Sequence, residues 1–438
     1  MVLCACTGLN NRKGEIELET IYIIQQCLAF AFILCYAYQL FYVAYMLVKK
    51  PRRIEDAKEK HRYGVVICAR NEENVIGQLL QSIADQDYPQ ELLEVFVVAD
   101  NCDDATAEVA RSMGARVLER NDKTRIGKGY ALDFLFKRLL AQETKCEGFL
   151  VLDADNVLKE NYISEMNRVF DRGYRVITSY RNSKNYNTNW ISAGYSLWFV
   201  RESKYLNHAR MDLGTSCAIS GTGFMVHVDI LRKNYGWKHH LLTEDIEFTV
   251  DSIINNEIIG YSAGSILYDE QPEKLSQSCR QRMRWAKGFY QVFKKYGARL
   301  FKGALKGSFS CFDMLMTIMP AMLLTLISIT MNVIAIPVGI LTHSPDLGGL
   351  ILSLIKTLSG FYVLFFFLGT ITTITEWKSI HCTTKQKVKY LFTFPLFMLT
   401  YIPISVIALF CKVEWKPIQH SVAVTLEDIC DKRGISAR

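Results

Sequence analysis

Long apolar runs flank a central block of mixed character along the chain. Residues 21–48 are 28 consecutive uncharged positions, more than the roughly 20 that an α-helix needs to span a bilayer. A secretory signal peptide has a shorter apolar region of about 7 to 15 residues, so we interpret this run as a retained membrane helix. Further candidate spans lie near the other end, at residues 314–341, 357–375 and 390–411. The last contains two prolines and can form a broken or re-entrant helix.

The central block alternates short runs rich in β-branched and other apolar residues with longer helical patterns. Predicted strands are residues 64–68, 95–98, 115–118 and 149–152, with helical periodicity between them. Strands spaced by helices imply right-handed βαβ units and a mostly parallel sheet covered on both faces, which is an α/β fold. Ligands of such sheets bind beyond the carboxyl ends of the strands.

Acidic side chains follow predicted strands at the point where each strand ends. Glu72 follows the first strand, Asp100 the second, and Asp153 with Asp155 the fourth. Because the carboxyl ends of parallel strands meet at one edge of a sheet, we expect these side chains to share one rim. Paired carboxylates repel each other unless a cation lies between them, and such hard oxygen ligands suit Mg²⁺ or Mn²⁺ together with phosphate oxygens. The pattern therefore indicates a diphosphate ligand.

Lys128 and Asp245 each lie at the start of a predicted helix. Lys128 follows a glycine, where a lysine and backbone amides can meet a phosphate, although the sequence contains neither the P-loop nor the Rossmann glycine pattern. Asp245 follows a glycine-rich segment and is a candidate general base. The alternative for Lys128 is that it is an ordinary solvated lysine. The alternative for Asp245 is that Thr243 caps the helix and that the acids of its first turn lie near the positive end of the helix dipole.

A third predicted helix, residues 277–293, is amphipathic. Gln281, Arg284 and Trp285 are spaced by three and four residues and therefore lie on one face, where they can act on one ligand together. The alternative is that Arg and Trp on a helix beside a membrane are interfacial anchors. Co-occurrence with the acidic rim favours a site.

Composition agrees with a membrane protein that has a soluble part. Of 438 residues, 50% are hydrophobic and 22% are charged, with a mean hydropathy of +0.09, which excludes disordered and collagen-like chains. The net charge of +7 is modest, and its basic residues cluster beside the apolar runs, so nucleic-acid binding is disfavoured. The 13 cysteines are scattered without a paired zinc-type spacing, and we interpret them as reduced thiols facing the cytosol.

Basic residues beside the apolar runs predict that both ends of the central block lie in the cytosol. We therefore expect a multi-pass membrane protein with a cytosolic central domain. The tail that starts at Trp415 and includes His420 is interpreted as an interfacial anchor, with a contribution to the site as the alternative. The predicted units are a first membrane segment, the soluble domain with its interfacial helix, the C-terminal membrane helices and the tail, at residues 1–50, 51–300, 301–415 and 416–438.

Four motifs occur in order along about residues 63–296: Asp100, the Asp-Ala-Asp of residues 153–155, the Thr-Glu-Asp of residues 243–245 and the Gln-Arg-Met-Arg-Trp of residues 281–285. They resemble the D, DxD, TED and QxxRW signature of family 2 glycosyltransferases. With the flanking helices, the chain resembles membrane-embedded chitin, hyaluronan, cellulose and poly-N-acetylglucosamine synthases. The resemblance implies a GT-A fold and an inverting, metal-dependent and processive transfer of hexose from a UDP-sugar to a growing polysaccharide.

The resemblance also implies a role for each matching residue. Glu72 and Asp100 hold the uridine, and Asp155 serves the metal. Asp245 is the base. Other residues contact the ribose, the diphosphate or the rest of the donor and acceptor site, namely Asp153, Lys128, Gln281, Arg284 and Trp285. The expected partners are a UDP-sugar donor, a carbohydrate or lipid-linked acceptor and membrane lipids, with no nucleic acid.

One departure from this family pattern keeps other functions open. Cellulose and hyaluronan synthases commonly have two helices before the catalytic domain, whereas one is predicted here, so a secretion channel is less secure than the transfer chemistry. The competing hypotheses are transfer of a single sugar to a lipid acceptor and a non-catalytic membrane scaffold that retains the fold. The sequence does not choose the sugar, the linkage or the oligomeric state.

Overall fold

A computed structural model describes residues 2–49, 55–319, 347–415, 418 and 420–431, with isolated positions between 320 and 346. Three helices in the described part are long and apolar enough to cross a membrane, namely Ile23–Val48, Ile351–Thr375 and Thr384–Phe410. They correspond to three of the four predicted spans. The remaining predicted span, residues 314–341, lies partly outside the described residues.

The described strands form one eight-stranded sheet in the order β3-β2-β1-β4-β7-β6-β8-β5. Strand β1 is parallel to β2 and β4, and β2 is parallel to β3. Strand β7 is antiparallel to both of its neighbours. In chain order the strands are Tyr63–Ala69, Leu93–Asp100, Arg116–Arg120, Gly148–Asp153, Val157–Leu158, Val176–Ser183, Phe224–His227 and Ile259–Asp269. The expected mostly parallel sheet is confirmed, and the four predicted strands are β1 to β4.

Helices cover the sheet and continue into the apolar segments. A π-helical turn, Glu202–Asn207, joins the sixth and seventh helices. The α-helices α1 to α15 are, in chain order, Val2–Val48, Ile76–Ala84, Thr106–Ser112, Lys128–Ala141, Tyr162–Phe170, Trp190–Arg201, His208–Asp212, Val228–Lys233, Glu244–Ile254, Leu275–Leu305, Phe309–Ile318, Leu347–Thr375, Thr384–Leu399, Tyr401–Phe410 and Leu426–Asp431. The predicted interfacial helix, residues 277–293, is therefore the first part of a longer helix, α10.

The central strands are buried on both faces, and their alternating side chains enter two separate cores. Val66 of β1 packs in a cluster with residues of α4, whereas its neighbours Val65 and Ile67 pack in a second cluster with residues of α2 and α5. Because successive side chains of a strand point to opposite faces, an uninterrupted apolar run is what a sheet between two helical layers requires.

The last apolar segment is broken between α13 and α14, as its two prolines led us to expect. Pro395 lies inside α13, and the break occurs at Thr400, where α14 begins. Pro403 has no N–H to donate back across the break. The fully buried Arg282 of α10 donates to the Phe397 carbonyl at 3.2 Å and to Thr400 Oγ1 at 2.6 Å. Polar groups released by the broken helix are thus bonded within the protein.

Asp313 of α11 connects the first helix to the soluble domain. Its carboxylate accepts two hydrogen bonds from Arg210 of α7, both at 2.7 Å. The hydroxyls of Tyr38 and Tyr42 of α1 donate to the same carboxylate at 2.8 and 2.9 Å. Arg210 and Asp313 are each 1% exposed, so these charges interact with little screening by water.

Replacement of Asp313 by asparagine is expected to lower the free energy of unfolding by about 3–5 kcal/mol, because the Arg210 charge would stay buried without its counter-ion. Chemical or thermal unfolding of the purified full chain in detergent measures this loss. The matched control is Asp229→Asn, which removes a carboxylate from the exposed ion pair with Arg232 and is expected to cost less than about 1 kcal/mol. Equal losses in the two variants would contradict the conclusion that the buried pair of Arg210 and Asp313 stabilises the fold more than an exposed ion pair does.

Candidate active site

A cavity of about 180 Å³ lies at the carboxyl-terminal edge of the parallel strands. Its walls include every site residue predicted from the sequence: Glu72, Asp100, Lys128, Asp153, Asp155, Asp245, Gln281, Arg284 and Trp285. The structure therefore brings these residues together. Their individual roles remain predictions.

Strand register explains why acids distant in the chain meet at this edge. Asp100 is the last residue of β2 and Asp153 the last of β4. Both strands pair with β1, which places Ala69 opposite Ala99 and Cys68 opposite Asp153. The three strands consequently end side by side, and the segments that follow them project into the same space.

The cavity carries more acidic than permanently cationic side chains. The acidic residues that line it are Glu72, Asp100, Asp153, Asp155, Glu244, Asp245, Asp269 and Glu270. The lysines and arginines that line it are Arg70, Lys128, Arg181 and Arg284. An acidic excess in a buried cavity favours binding of a cation.

Lys128 lies among these acids at the start of α4. Its Nζ donates to Asp153 Oδ1 at 2.5 Å and to the Gly221 carbonyl at 2.9 Å. Burial alone would lower the pKa of Lys128, but the negative charges of Asp153 and Glu244 raise it. The side chain is therefore a stable cation, bonded at the cavity wall rather than free in solvent.

Asp100 is engaged by an arginine that the sequence analysis missed. Arg120, the last residue of β3, donates from Nη1 to Asp100 Oδ1 at 2.5 Å, and both side chains are buried. Burial raises the pKa of Asp100, while Arg120 opposes that shift. Only a correct prediction that β3 pairs with β2 could have linked them, because Asp100 and Arg120 lie opposite each other at the ends of these two strands.

Asp155 is the better placed of the two central carboxylates for a metal ion. Its Oδ2 accepts the Glu270 N–H at 2.8 Å, while its Oδ1 has only a long contact of 3.4 Å from Asn156. Burial would raise the pKa of Asp155, but His420 and Lys184 hold it below its usual range.

The donor set around Asp155 fits a magnesium-like ion that takes phosphate oxygens as further ligands. Among the described residues, no group of three or more His, Cys, Asp or Glu side chains is arranged to hold a metal ion alone. Mg²⁺ commonly uses one or two protein carboxylates and completes its shell with water and substrate phosphates. Asp155, with Asp153 in the same cavity wall, would supply that protein share.

Asp245 and Glu244 form an acidic pair at the start of α9. Asp245 Oδ2 accepts the Gly221 N–H at 2.7 Å, and Gly221 has a φ of +80°, which glycine adopts readily. Burial raises the pKa of Asp245, and burial together with Asp245 raises the pKa of Glu244 to about 7. Buried carboxylates with raised pKa values, such as Glu244 and Asp245, can accept a proton closer to neutral pH than exposed ones.

Capping by Thr243, the alternative explanation for these acids, is not observed. Thr243 occupies the N-cap position of α9, but its side chain makes no capping hydrogen bond. Its buried Oγ1 lacks a hydrogen-bond partner. The reason is steric, because Thr243 packs tightly against Gly288 of α10, where an added Cβ would lie 2.5 Å from the threonine side chain.

Helix α10 places Gln281, Arg284 and Trp285 at the cavity on the face predicted from their spacing. The Trp285 ring also contacts Tyr195 and Phe199 edge to face, with centroids 5.7 and 6.0 Å apart. These aromatic contacts fix the indole at the boundary between the cavity and an apolar cluster.

The C-terminal tail reaches the cavity, so its interpretation as an anchor alone is wrong. Trp415, Ile418 and His420 line the cavity, and His420 Nδ1 lies 2.9 Å from Glu72 Oε1. Burial would lower the pKa of His420, but Asp155 and Glu72 raise it to about 10. The ring of Trp415 lies 5.5 Å from the Arg70 guanidinium. No signal in the sequence connects these distant segments.

Comparison with known proteins identifies the family. A family model described as "Glycosyltransferase like family 2" matches residues 61–288, which is more than half of the chain. The chain belongs to this family. The solved mannosyltransferase PcManGT from Pyrobaculum calidifontis, in complex with GDP-Man and Mn²⁺, shares the fold with a TM-score of 0.56 and 15% identity, covering 89% of this chain and 99% of that one. The GT-A fold expected from the resemblance is confirmed.

Curated relatives of this family 2 glycosyltransferase include both general and lipid-directed enzymes by name. The probable glycosyltransferase YdaM of Bacillus subtilis is 28% identical over 58% of this chain. The beta-monoglucosyldiacylglycerol synthase of Trichormus variabilis is 27% identical over 67% of this chain. The alignments span 61% and 62% of the lengths of these two relatives.

Gly288→Ala is expected to lower the free energy of unfolding by about 1–3 kcal/mol, because the new Cβ would overlap Thr243 and force α10 and α9 apart. Gly360→Ala is the control, since a Cβ at that helical glycine meets nothing within 4 Å. Unfolding of both variants in detergent provides the comparison. A Gly288→Ala protein as stable as the control would show that the contact is not tight.

The pKa of Glu244 predicts how stability depends on pH. Its folded-state pKa of about 7 exceeds the ordinary value of 4.5, so folding favours the protonated form and loses stability as pH rises between those values. Glu244→Gln should therefore gain in unfolding midpoint relative to the wild type between pH 5 and pH 8. Glu160→Gln, at an exposed position, is the control. A pH-independent difference for Glu244→Gln would refute the shift.

Proposed function

We propose that this family 2 glycosyltransferase moves a hexose from a UDP-sugar to an acceptor at the membrane, with inversion at the sugar carbon. The observation that carries the proposal is the convergence of all nine predicted site residues on one cavity. Candidate membrane helices in the same chain support an acceptor held at a lipid surface. The name of the relative from Trichormus variabilis supports it as well.

The residues divide into a donor-binding group and an acid–base group. Glu72 and Asp100 are proposed to bind the uridine, and Asp153 the ribose and diphosphate. Lys128 and Arg284 would stabilise negative charge on the departing diphosphate, which is worth most in a buried site. Asp155 would hold Mg²⁺ or Mn²⁺, which neutralises the same phosphates when bound.

Asp245 is proposed to take the proton from the attacking acceptor hydroxyl. An inverting transfer is a single displacement, so one general base is sufficient. The Gly221 N–H donates to Oδ2 of Asp245 and orients the carboxylate in the cavity wall. Gln281 and Trp285 would orient the acceptor, since the apolar face of a sugar can stack on an indole ring.

The acceptor we favour is a lipid that receives one sugar, because the relatives named as glycolipid synthases align over two thirds of this chain. Processive synthesis of a polysaccharide is the second candidate, favoured by the Gln281, Arg284 and Trp285 pattern. In both cases we propose a multi-pass plasma-membrane protein. Its units would be a cytosolic domain at residues 51–300, membrane segments within 1–50 and 301–415, and a tail at 416–438.

Asp245→Asn is expected to reduce sugar transfer by about 10²–10⁴-fold, since the amide cannot accept the proton, while the unfolding midpoint and UDP affinity change little. Purified membranes supplied with radiolabelled UDP-sugars and Mg²⁺ or Mn²⁺ measure turnover. Asp103→Asn, at an exposed position after β2, is the control. Full turnover by Asp245→Asn would exclude the proposed base.

The same assay separates the two acceptors. A product that stops at one added sugar on a lipid supports the first candidate, and a polymer supports the second. If the wild type consumes none of the UDP-sugars and binds no UDP by calorimetry, the proposed enzyme activity is wrong and a scaffold role becomes the better explanation.

A further inference from the structure

Helices α10 and α11 form a hairpin whose end carries exposed apolar side chains. Gly307, with a φ of +90°, ends the first helix, and the Ser308 side chain caps the second. Around this turn Phe301 is 54% exposed, Leu305 72% and Phe309 42%. We call residues 298–309 the hairpin tip. Among the described residues, no element covers Phe301 and Leu305, and such a group of exposed apolar side chains is typical of a contact surface.

The surroundings of these apolar side chains are strongly basic. Residues 294–309 contain five lysines and arginines and neither aspartate nor glutamate. Ala298, Phe301, Lys302 and Leu305 are all exposed and share one helix face by their spacing. Lys302, Lys306 and Lys294 form no ion pair found in the described part of the chain, whereas Lys295 pairs with Glu247.

The hairpin tip lies beside the first candidate membrane helix. The ring of Phe309 is 5.8 Å from that of Tyr38, and Tyr38 belongs to the candidate span Ile23–Val48. Gly303 packs closely against Cys311, where an added Cβ would lie 2.5 Å from the sulfur. The exposed tip therefore lies beside this candidate span and is packed against the start of α11.

We propose that the hairpin tip binds anionic phospholipid headgroups, with its aromatic and leucine side chains in the outer acyl region and its lysines on the phosphates. An amphipathic segment of this composition gains from buried apolar area and from attraction to negative lipids together. Each lysine near an anionic surface contributes about a fivefold preference, and salt weakens it. A purely zwitterionic lipid surface would not account for Lys294, Lys302 and Lys306, which have no ion pair among the described residues.

The proposal bears on the candidate site because α10 is one continuous helix. Its first half carries Arg284 and Trp285 at the cavity, and its second half ends in the hairpin tip. Lipid contacts at the tip therefore act on the helix that positions these two side chains. The binding surface itself does not depend on the proposed enzyme activity.

Lipid selectivity of the full chain tests the proposal without any activity assay. The protein is reconstituted with acyl-chain spin-labelled phosphatidylglycerol or phosphatidylcholine, and electron paramagnetic resonance gives the fraction of each label that is immobilised at the protein surface. We expect the wild type to prefer phosphatidylglycerol by about twofold or more at low salt. Lys302→Gln with Lys306→Gln should lower this preference, and Leu305→Gln should reduce contact with both lipids.

Lys145→Gln with Lys233→Gln is the matched control, because it removes two exposed lysines from the sheet-bearing domain. It should keep the wild-type preference. Equal immobilisation of both lipids by the wild type would overturn the proposal, and so would an unchanged preference in the Lys302 and Lys306 variant. Unfolding midpoints of all variants confirm that a lost preference does not reflect misfolding. Failure of UDP binding or sugar transfer would leave this result unaffected.

Discussion

The repulsion among carboxylates at one edge of the sheet is the constraint on which the rest of the structure depends. Parallel β1, β2 and β4 end side by side, so the acids that follow them cannot avoid one another. Cations from elsewhere in the fold offset this repulsion: Arg120 pairs with Asp100, and Lys128 with Asp153. Arg181 pairs with Asp269 at the same cavity. Partial neutralisation leaves an acidic excess suited to a divalent cation and its diphosphate.

Helix α10 connects that electrostatic arrangement to the membrane part of the chain. Arg284 and Trp285 face the cavity. Arg282, two residues before Arg284, is fully buried on another face of the helix and donates to Phe397 and Thr400 at the break between α13 and α14. The two faces of one helical turn therefore serve different purposes. Burial of the Arg282 charge is tolerated because the broken helix offers oxygen acceptors and the rings of Phe397 and Tyr401 lie within 5 Å of the guanidinium.

Sequence reasoning succeeded where local pattern determines position and failed where distant segments meet. Short runs rich in apolar residues predicted β1 to β4, and parallel pairing then predicted the rim that holds Asp100 and Asp153. Strands β5 to β8 were not predicted, and β5 and β7 are too short to give a clear pattern, with two and four residues. Capping by Thr243, the alternative interpretation, is not observed, and the side chain instead packs against Gly288. Such packing overrides the local preference of a cap.

The tail shows why a family match alone does not define this cavity. The match ends at residue 288, yet His420 reaches Glu72, and the Ser421 N–H donates to Glu270. Beyond them, Ile429 is fully buried in a cluster with Val157 of β5. The contacts of Ile429 and the end of α14 hold the tail on both sides of the residues that line the cavity. A wall built in this way requires the membrane segments and the sheet to fold together, so the cavity belongs to the whole chain rather than to the matched domain.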